Sequence, residues 1–134
     1  MSAPDLFRLD NRVAFISGAA GHLGRAMSRA LAEAGAHVIL NGPAKAALLQ
    51  LTRHLAVELG PEQIRVNALV PGPFPRDEVA QRDPEFASRL AARTMLGRTA
   101  KADEIRGPLL FLAPPASSSV TGVALALDGG WTAW

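Results

Sequence analysis

Phe15-Ile16-Ser17-Gly18-Ala19-Ala20-Gly21-His22-Leu23-Gly24-Arg25-Ala26 is the stretch whose reading decides the fold. The apolar run Val13 to Ile16 gives way to small residues and glycines and then passes into a helical pattern. That succession is strand, glycine-rich turn, helix. Without a Cβ in the way, such a turn lets backbone N–H groups and a helix N-terminus come close to a phosphate. A glycine turn is weak evidence alone and needs its context. Here a second apolar run, His37 to Leu40, follows the helix at the distance a βαβ unit requires.

Working outward, strand one is expected over Arg12 to Ser17, its unbroken apolar character suiting a parallel strand covered on both faces. A helix follows over Leu23 to Ala34, with Leu23, Met27, Ala30, Leu31 and Ala34 on its buried stripe. Gly35 is placed to end it in the left-handed conformation. Asn41-Gly42-Pro43 reads as a turn into a helix over Ala44 to Leu59, which Gly60-Pro61 stops. Leu48, Leu51, Leu55 and Leu59 line one side of that helix. Leu49, Ala46 and Ala56 make a second side apolar, a width that predicts burial against both the core and a partner. Ile64 to Val70 reads as strand three, ended by Pro71-Gly72-Pro73. Phe74 to Arg98 is polar and proline-punctuated, with Phe86, Leu90 and Met95 as apolar anchors. Two readings stand for it, a lid after a parallel strand or a surface connector. Asp103 to Leu112 reads as a helix and Gly122 to Leu127 as strand four.

Composition bounds the function classes. The 134 residues make one domain with a sizeable core, half of them hydrophobic and a fifth charged. All but two of the 14 basic residues are arginine, the exceptions being Lys45 and Lys101, and the net charge is only +2. No basic run is present, which argues against nucleic acid. Absence of cysteine removes disulfides and thiolate metal sites. No apolar stretch reaches membrane-spanning length and no signal-peptide core opens the chain, so a cytoplasmic location without membrane partners is the expectation. His37 and His54 have no partner at metal-ligand spacing.

Several motifs in order resemble the short-chain dehydrogenase/reductase family, the Rossmann-type nicotinamide oxidoreductases. Ser17-Gly18-Ala19-Ala20-Gly21-His22-Leu23-Gly24 is similar to that family's Thr-Gly-x-x-x-Gly-x-Gly turn, with His22 at the middle glycine. Lys45-Ala46-Ala47-Leu48 matches the segment after the catalytic tyrosine. Arg65-Val66-Asn67-Ala68-Leu69-Val70-Pro71-Gly72 matches the strand and Pro-Gly turn beside the nicotinamide. Gly97-Arg98 through Leu127-Asp128-Gly129-Gly130 is like the last helix and strand. The resemblance implies NAD or NADP as cofactor, held by Gly18, Ala20, His22, Leu23, Gly24, Asn41, Lys45, Pro71 and Gly72, with Lys45 the remnant of the catalytic machinery.

The departures carry as much weight. In the family three strands and their helices separate strand two from the tyrosine-lysine helix; here Leu40-Asn41-Gly42 runs directly into Pro43-Ala44-Lys45. The segment that would bear the Asn-Asn-Ala-Gly motif and the catalytic serine is missing. Four residues before Lys45 stands Asn41, and the chain has no tyrosine. Asparagine has no proton to give near neutral pH, so the family's acid/base relay is expected to fail.

Deleting the middle strands from the order 3-2-1-4-5-6-7 leaves an α/β, Rossmann-like doubly wound parallel sheet of about four strands in the order 2-1-3-4. The switch point, and so the ligand crevice, lies between strands one and three. The 44–59 helix would cover one face alone, and a homo-oligomer through that helix is the expected remedy. Individual residues keep alternatives. His22 is a phosphate donor or a polar side chain at the rim of the turn. Lys45 is a ribose contact or a solvated first-turn lysine. Pro71-Gly72 is a nicotinamide contact or a strand stop. Asn41 stands where dinucleotide folds read the ribose, and with neither an acidic residue nor an arginine there the choice of NAD or NADP is open.

Overall fold

The computed structural model describes residues 5–17, 21–41 and 48–133. Its elements are β1 (Val13–Ser17), α1 (His22–Glu33), β2 (His37–Asn41), α2 (Leu48–Leu59), β3 (Ala68–Pro71), α3 (Asp77–Arg82), α4 (Pro84–Ala92), α5 (Arg106–Leu112) and β4 (Ala124–Leu127). The first turn of the expected 44–59 helix lies outside the described residues.

β1 and β2 pair in parallel, with Val13 opposite His37 and Ser17 opposite Asn41. α1 is the crossover between them, completing the βαβ unit. Gly35 ends that helix as expected: its φ of 99° is left-handed, and its amide reaches Ala32 O while Ala36 N reaches Leu31 O. Leu31 and Ala30 are buried, and Met27 and Ala34 pack against the cluster of Leu9, Ile16 and Leu31. The 3.6-residue apolar period therefore points at the first strand pair, each fully buried leucine contributing roughly 1.5–3 kcal/mol.

β3 and β4 form a second parallel pair, Ala68 opposite Ala124 and Pro71 opposite Leu127. The adjacencies 2-1 and 3-4 are thus as expected, but one continuous four-stranded sheet is not: among the described residues β1 and β3 share no ladder. Helices join the halves instead. α1 packs on α5 and on the 3-10 turn Ala102–Ile105 that precedes it. Leu109 and Ala113 enter the Leu9 cluster, and Arg106 pairs with Glu33 across the two helices.

Strand three is shorter than its apolar pattern suggests, beginning at Ala68 rather than Ile64. The physical reason is a side-chain clamp. Arg65 Nη1 donates to Leu112 O (2.7 Å), Ser117 Oγ (2.9 Å) and Val120 O (3.3 Å), and Nη2 to Ala113 O (2.8 Å) and Pro114 O (3.2 Å). Asn67 Nδ2 donates to Val120 O, while its Oδ1 accepts from Val123 N. These residues fasten the entry of β3 to the carbonyl end of α5, where a cation also opposes the helix dipole. Burial lowers the Arg65 pKa, and the charge of Arg12 adds to that.

α2 differs from its expected stripe. Thr52 and Ala56 are its buried residues, and the Thr52 hydroxyl is satisfied internally by Leu48 O at 2.7 Å. Leu51, expected in the core, is 47% exposed, as is Leu49 at 41%. They flank the strip of Thr52 and Ala56 that the helix buries where it packs by β3. Phe74 to Arg98 holds two helices. In the second, Asp83 accepts from Phe86 N at 2.9 Å and Pro84 occupies the first turn. The expected Asp103–Leu112 helix starts as the 3-10 turn and becomes α5 at Arg106.

Candidate functional site

β1 and β2 present their carboxyl ends on the side where α1 begins. Gly21 caps α1 in an extended conformation (φ −72°, ψ 171°) and contributes no side-chain cap. The first intrahelical bond is Arg25 N to Gly21 O at 3.0 Å. The amides of His22, Leu23 and Gly24 precede it, so helical geometry gives them no carbonyl of their own helix. Gly24 is buried, which brings the first turn close against its surroundings without a side chain between. This helix start has the donor set and dipole that an anionic group requires.

Beyond it lies an open cleft of about 540 Å³, lined on one side by His22 and Arg25. On the other stand Arg76, Asp77, Glu78, Val79 and Arg82, at the cap and body of α3. The polar segment after β3 is therefore brought against the start of α1, although some fifty residues separate them in the chain. Sequence reasoning proposed His22 for the site but passed over Arg25, Arg76 and Arg82. The available signal was an arginine directly after Gly24 and two more in the segment read as lid or connector.

Asn41 is the last residue of β2, its backbone beside Ser17 at the same end of the sheet as the start of α1. Pro71 ends β3 opposite Leu127, and Gly72 N donates to Leu127 O at 3.1 Å. A Cβ on Gly72 would stand 2.6 Å from both Cα and Cβ of Asp128, so contact between the ends of β3 and β4 already accounts for glycine there. Gly18, Ala20 and Lys45 lie outside the described residues. No cluster of metal-ligating side chains occurs among the described residues.

The floor beneath the α3–α4 segment is held by hydrogen bonds. Leu96 N donates to Gly129 O and Ala100 N to Pro73 O. Buried Thr94 accepts from Arg98 N through Oγ1. Arg98 grips Glu104 with both terminal nitrogens, at 2.7 and 2.8 Å, and Lys101 N adds a third donor. Those donors, Arg98 first, bring the Glu104 pKa down to about 2. Asp128 accepts from Thr132 Oγ1, Gly130 N and Thr132 N, contacts that hold its carboxyl below the usual range. A second cavity, lined by Pro73, Leu96, Arg98 and Leu127 among others, measures about 70 Å³ and is too small for a nucleotide. No helix among the described residues is long and apolar enough to cross a membrane.

Against known proteins, residues 40–132 match a family described as Enoyl-(Acyl carrier protein) reductase. The chain is 46% identical over 96 residues to the peroxisomal 2,4-dienoyl-CoA reductase of Pongo abelii, covering 69% of this chain and 32% of that enzyme. With the galactitol 2-dehydrogenase (L-tagatose-forming) of Cereibacter sphaeroides it shares 44% over 92 residues, 67% of this chain and 36% of the enzyme. The chain thus spans about a third of the length of the curated relatives it matches. Its fold superposes on a gluconate 5-dehydrogenase from Burkholderia cenocepacia J2315, solved with NADP and tartrate, with a TM-score of 0.81 at 20% identity. That alignment covers 99% of this chain and 100% of the other, and at such identity it establishes the Rossmann-like α/β fold alone.

Proposed function

The chain belongs to the short-chain dehydrogenase/reductase family, and on that premise we propose that it binds NAD or NADP at the start of α1 without performing the family's tyrosine-dependent hydride transfer. The observation that carries this reading is the uncapped start of α1, with Gly24 buried behind it, in a chain that has no tyrosine. The amides of His22, Leu23 and Gly24 hold the diphosphate, and Gly18 and Ala20 complete the turn. Asn41 meets the adenosine ribose at the end of β2. Lys45, Pro71 and Gly72 face the nicotinamide end, Lys45 as a remnant of the catalytic pair. A bound nicotinamide supplies or accepts a hydride. The chain's own part in turnover would be to hold and pass a proton at the substrate oxygen, and without a tyrosine, with Asn41 four residues before Lys45 in the sequence, it lacks the family's donor.

The experiment is a titration with NADH and NADPH, followed by the emission of Trp131 and Trp134 and by calorimetry, with an alcohol and ketone panel run alongside. Saturable binding with no turnover is the expected result. Silence up to millimolar nucleotide removes the binding half, and turnover that survives Lys45→Ala removes the other.

A second observation supports an oligomeric module. Leu49, Leu51 and Val57 on α2 are exposed apolar residues, and a second copy packed along α2 would bury them. On this reading the protein is a cytoplasmic homo-oligomer, a shortened member of its family, and a catalytically inactive structural role is the alternative to nucleotide binding.

A further inference from the structure

We propose that the three arginines of the cleft, Arg25 on α1 with Arg76 and Arg82 on the α3 segment, clamp the diphosphate of the bound dinucleotide. The proposal rests on the reading above and adds the lid segment to the binding machinery. The cleft is formed where the first turn of α1 faces α3, so an anion held at that turn has guanidinium groups to either side of it. All three arginines are exposed, and among the described residues none of them forms an ion pair. The other arginines near the lid are committed: Arg89 to Glu85, Arg98 to Glu104, and Arg93 to the face of Trp131 at 4.5 Å. A guanidinium presents a planar fork of donors that matches two phosphate oxygens at once.

Asp77 and Glu78 line the same cleft and oppose an anion there. Their place is the first turn of α3, where a carboxylate favours the positive end of the helix. Three guanidinium groups against two carboxylates leave the cleft with a positive balance, with His22 beside them. The two carboxylates also make the proposal decidable, because a diphosphate clamp and a lid latched by arginine–carboxylate pairs respond to their removal with opposite signs.

The test is calorimetric titration of the full chain with NADH and with NADPH, at low and at physiological salt. Arg76→Ala and Arg82→Ala are each expected to weaken both nucleotides equally, on the order of tenfold. Arg76→Lys keeps the charge without the fork and recovers part of that loss. Asp77→Asn combined with Glu78→Gln tightens both nucleotides severalfold, and inorganic pyrophosphate competes with NADH in the parent protein. The side chains are exposed, so the variants fold, which circular dichroism verifies. Unchanged affinity in the combined Arg76→Ala, Arg82→Ala variant overturns the proposal while leaving nucleotide binding intact. So does a loss confined to NADPH, which would place the arginines at the 2′-phosphate, and so does weaker binding on removing the carboxylates. A parent protein that binds neither nucleotide overturns the reading beneath it and the clamp together.

Discussion

Replacing Arg65 by alanine is the sharpest probe of how this chain holds together. The guanidinium collects the carbonyls of Leu112, Ala113, Pro114 and Val120 and the hydroxyl of Ser117. Three of these contacts are shorter than 3.0 Å, and Ser117 is itself 2% exposed. A hydrogen bond to a charged group is worth about 1.5–3 kcal/mol, and a buried carbonyl left without its donor costs a further 1–3 kcal/mol. Water reaches part of the vacated space and the contacts are not additive, so a loss of about 3–4 kcal/mol is the working figure. Against a total stability of roughly 5–15 kcal/mol that is a large fraction. Arg65→Lys offers three donors on a compact charge in place of the fork and is expected to lose about half as much. Urea unfolding monitored by Trp131 emission, at constant m-value, measures both. Because Ser117 Oγ also donates to Leu112 O, the Arg65→Ala, Ser117→Ala cycle should show coupling of about 1 kcal/mol. An Arg65→Ala protein within about 1 kcal/mol of the parent would refute the clamp as the joint between β3 and α5.

Gly72→Ala drives a Cβ to within 2.6 Å of the Asp128 backbone and should cost about 1–3 kcal/mol; an unchanged melting temperature would show that β3 and β4 do not meet as described. Glu104, whose pKa falls from 4.5 to about 2, stabilises the fold fully above pH 4.5. That contribution is lost as the pH drops through the interval toward 2, so Glu104→Gln should lower the neutral plateau of a stability–pH curve, flatten its acid limb and leave the stability near pH 2 little changed. Substituting Leu49 and Val57 together by glutamate should turn an oligomer into a monomer by light scattering at micromolar concentration, and a parent protein already monomeric there would end the α2 interface. Sodium chloride raised from low to physiological concentration should weaken NADH binding, since the site is argued to be cationic; salt-independent affinity contradicts that.

Much of the architecture was legible without coordinates because its signals are local. An apolar run ending in glycines, followed by a 3.6-residue period and then Gly35, can form little but strand, turn and helix. Each residue's preference there agrees with its neighbours. The β2–β1 and β3–β4 adjacencies followed from the resembled family's strand order once its middle strands are taken out. The α2 stripe was less legible. Leu48, Leu51, Leu55 and Leu59 satisfy the period, but Thr52 takes the buried place of Leu51 because a hydroxyl can bond the carbonyl one turn back and pass as apolar.

By itself, then, the sequence determined the class of fold, the family, the glycine turn at the start of α1 and the lack of a tyrosine to donate a proton. All of these are read from residue identities or from neighbours within a few positions. Only the tertiary structure decided that the described strands ladder as two separate pairs, that Arg65 gathers carbonyls from a helix end some fifty residues away, and that Arg76 and Arg82 line one cleft with Arg25. Such contacts depend on where the backbone returns to after long excursions. Side-chain volume and hydrogen-bond geometry settle that in three dimensions, and no periodicity along the chain encodes it.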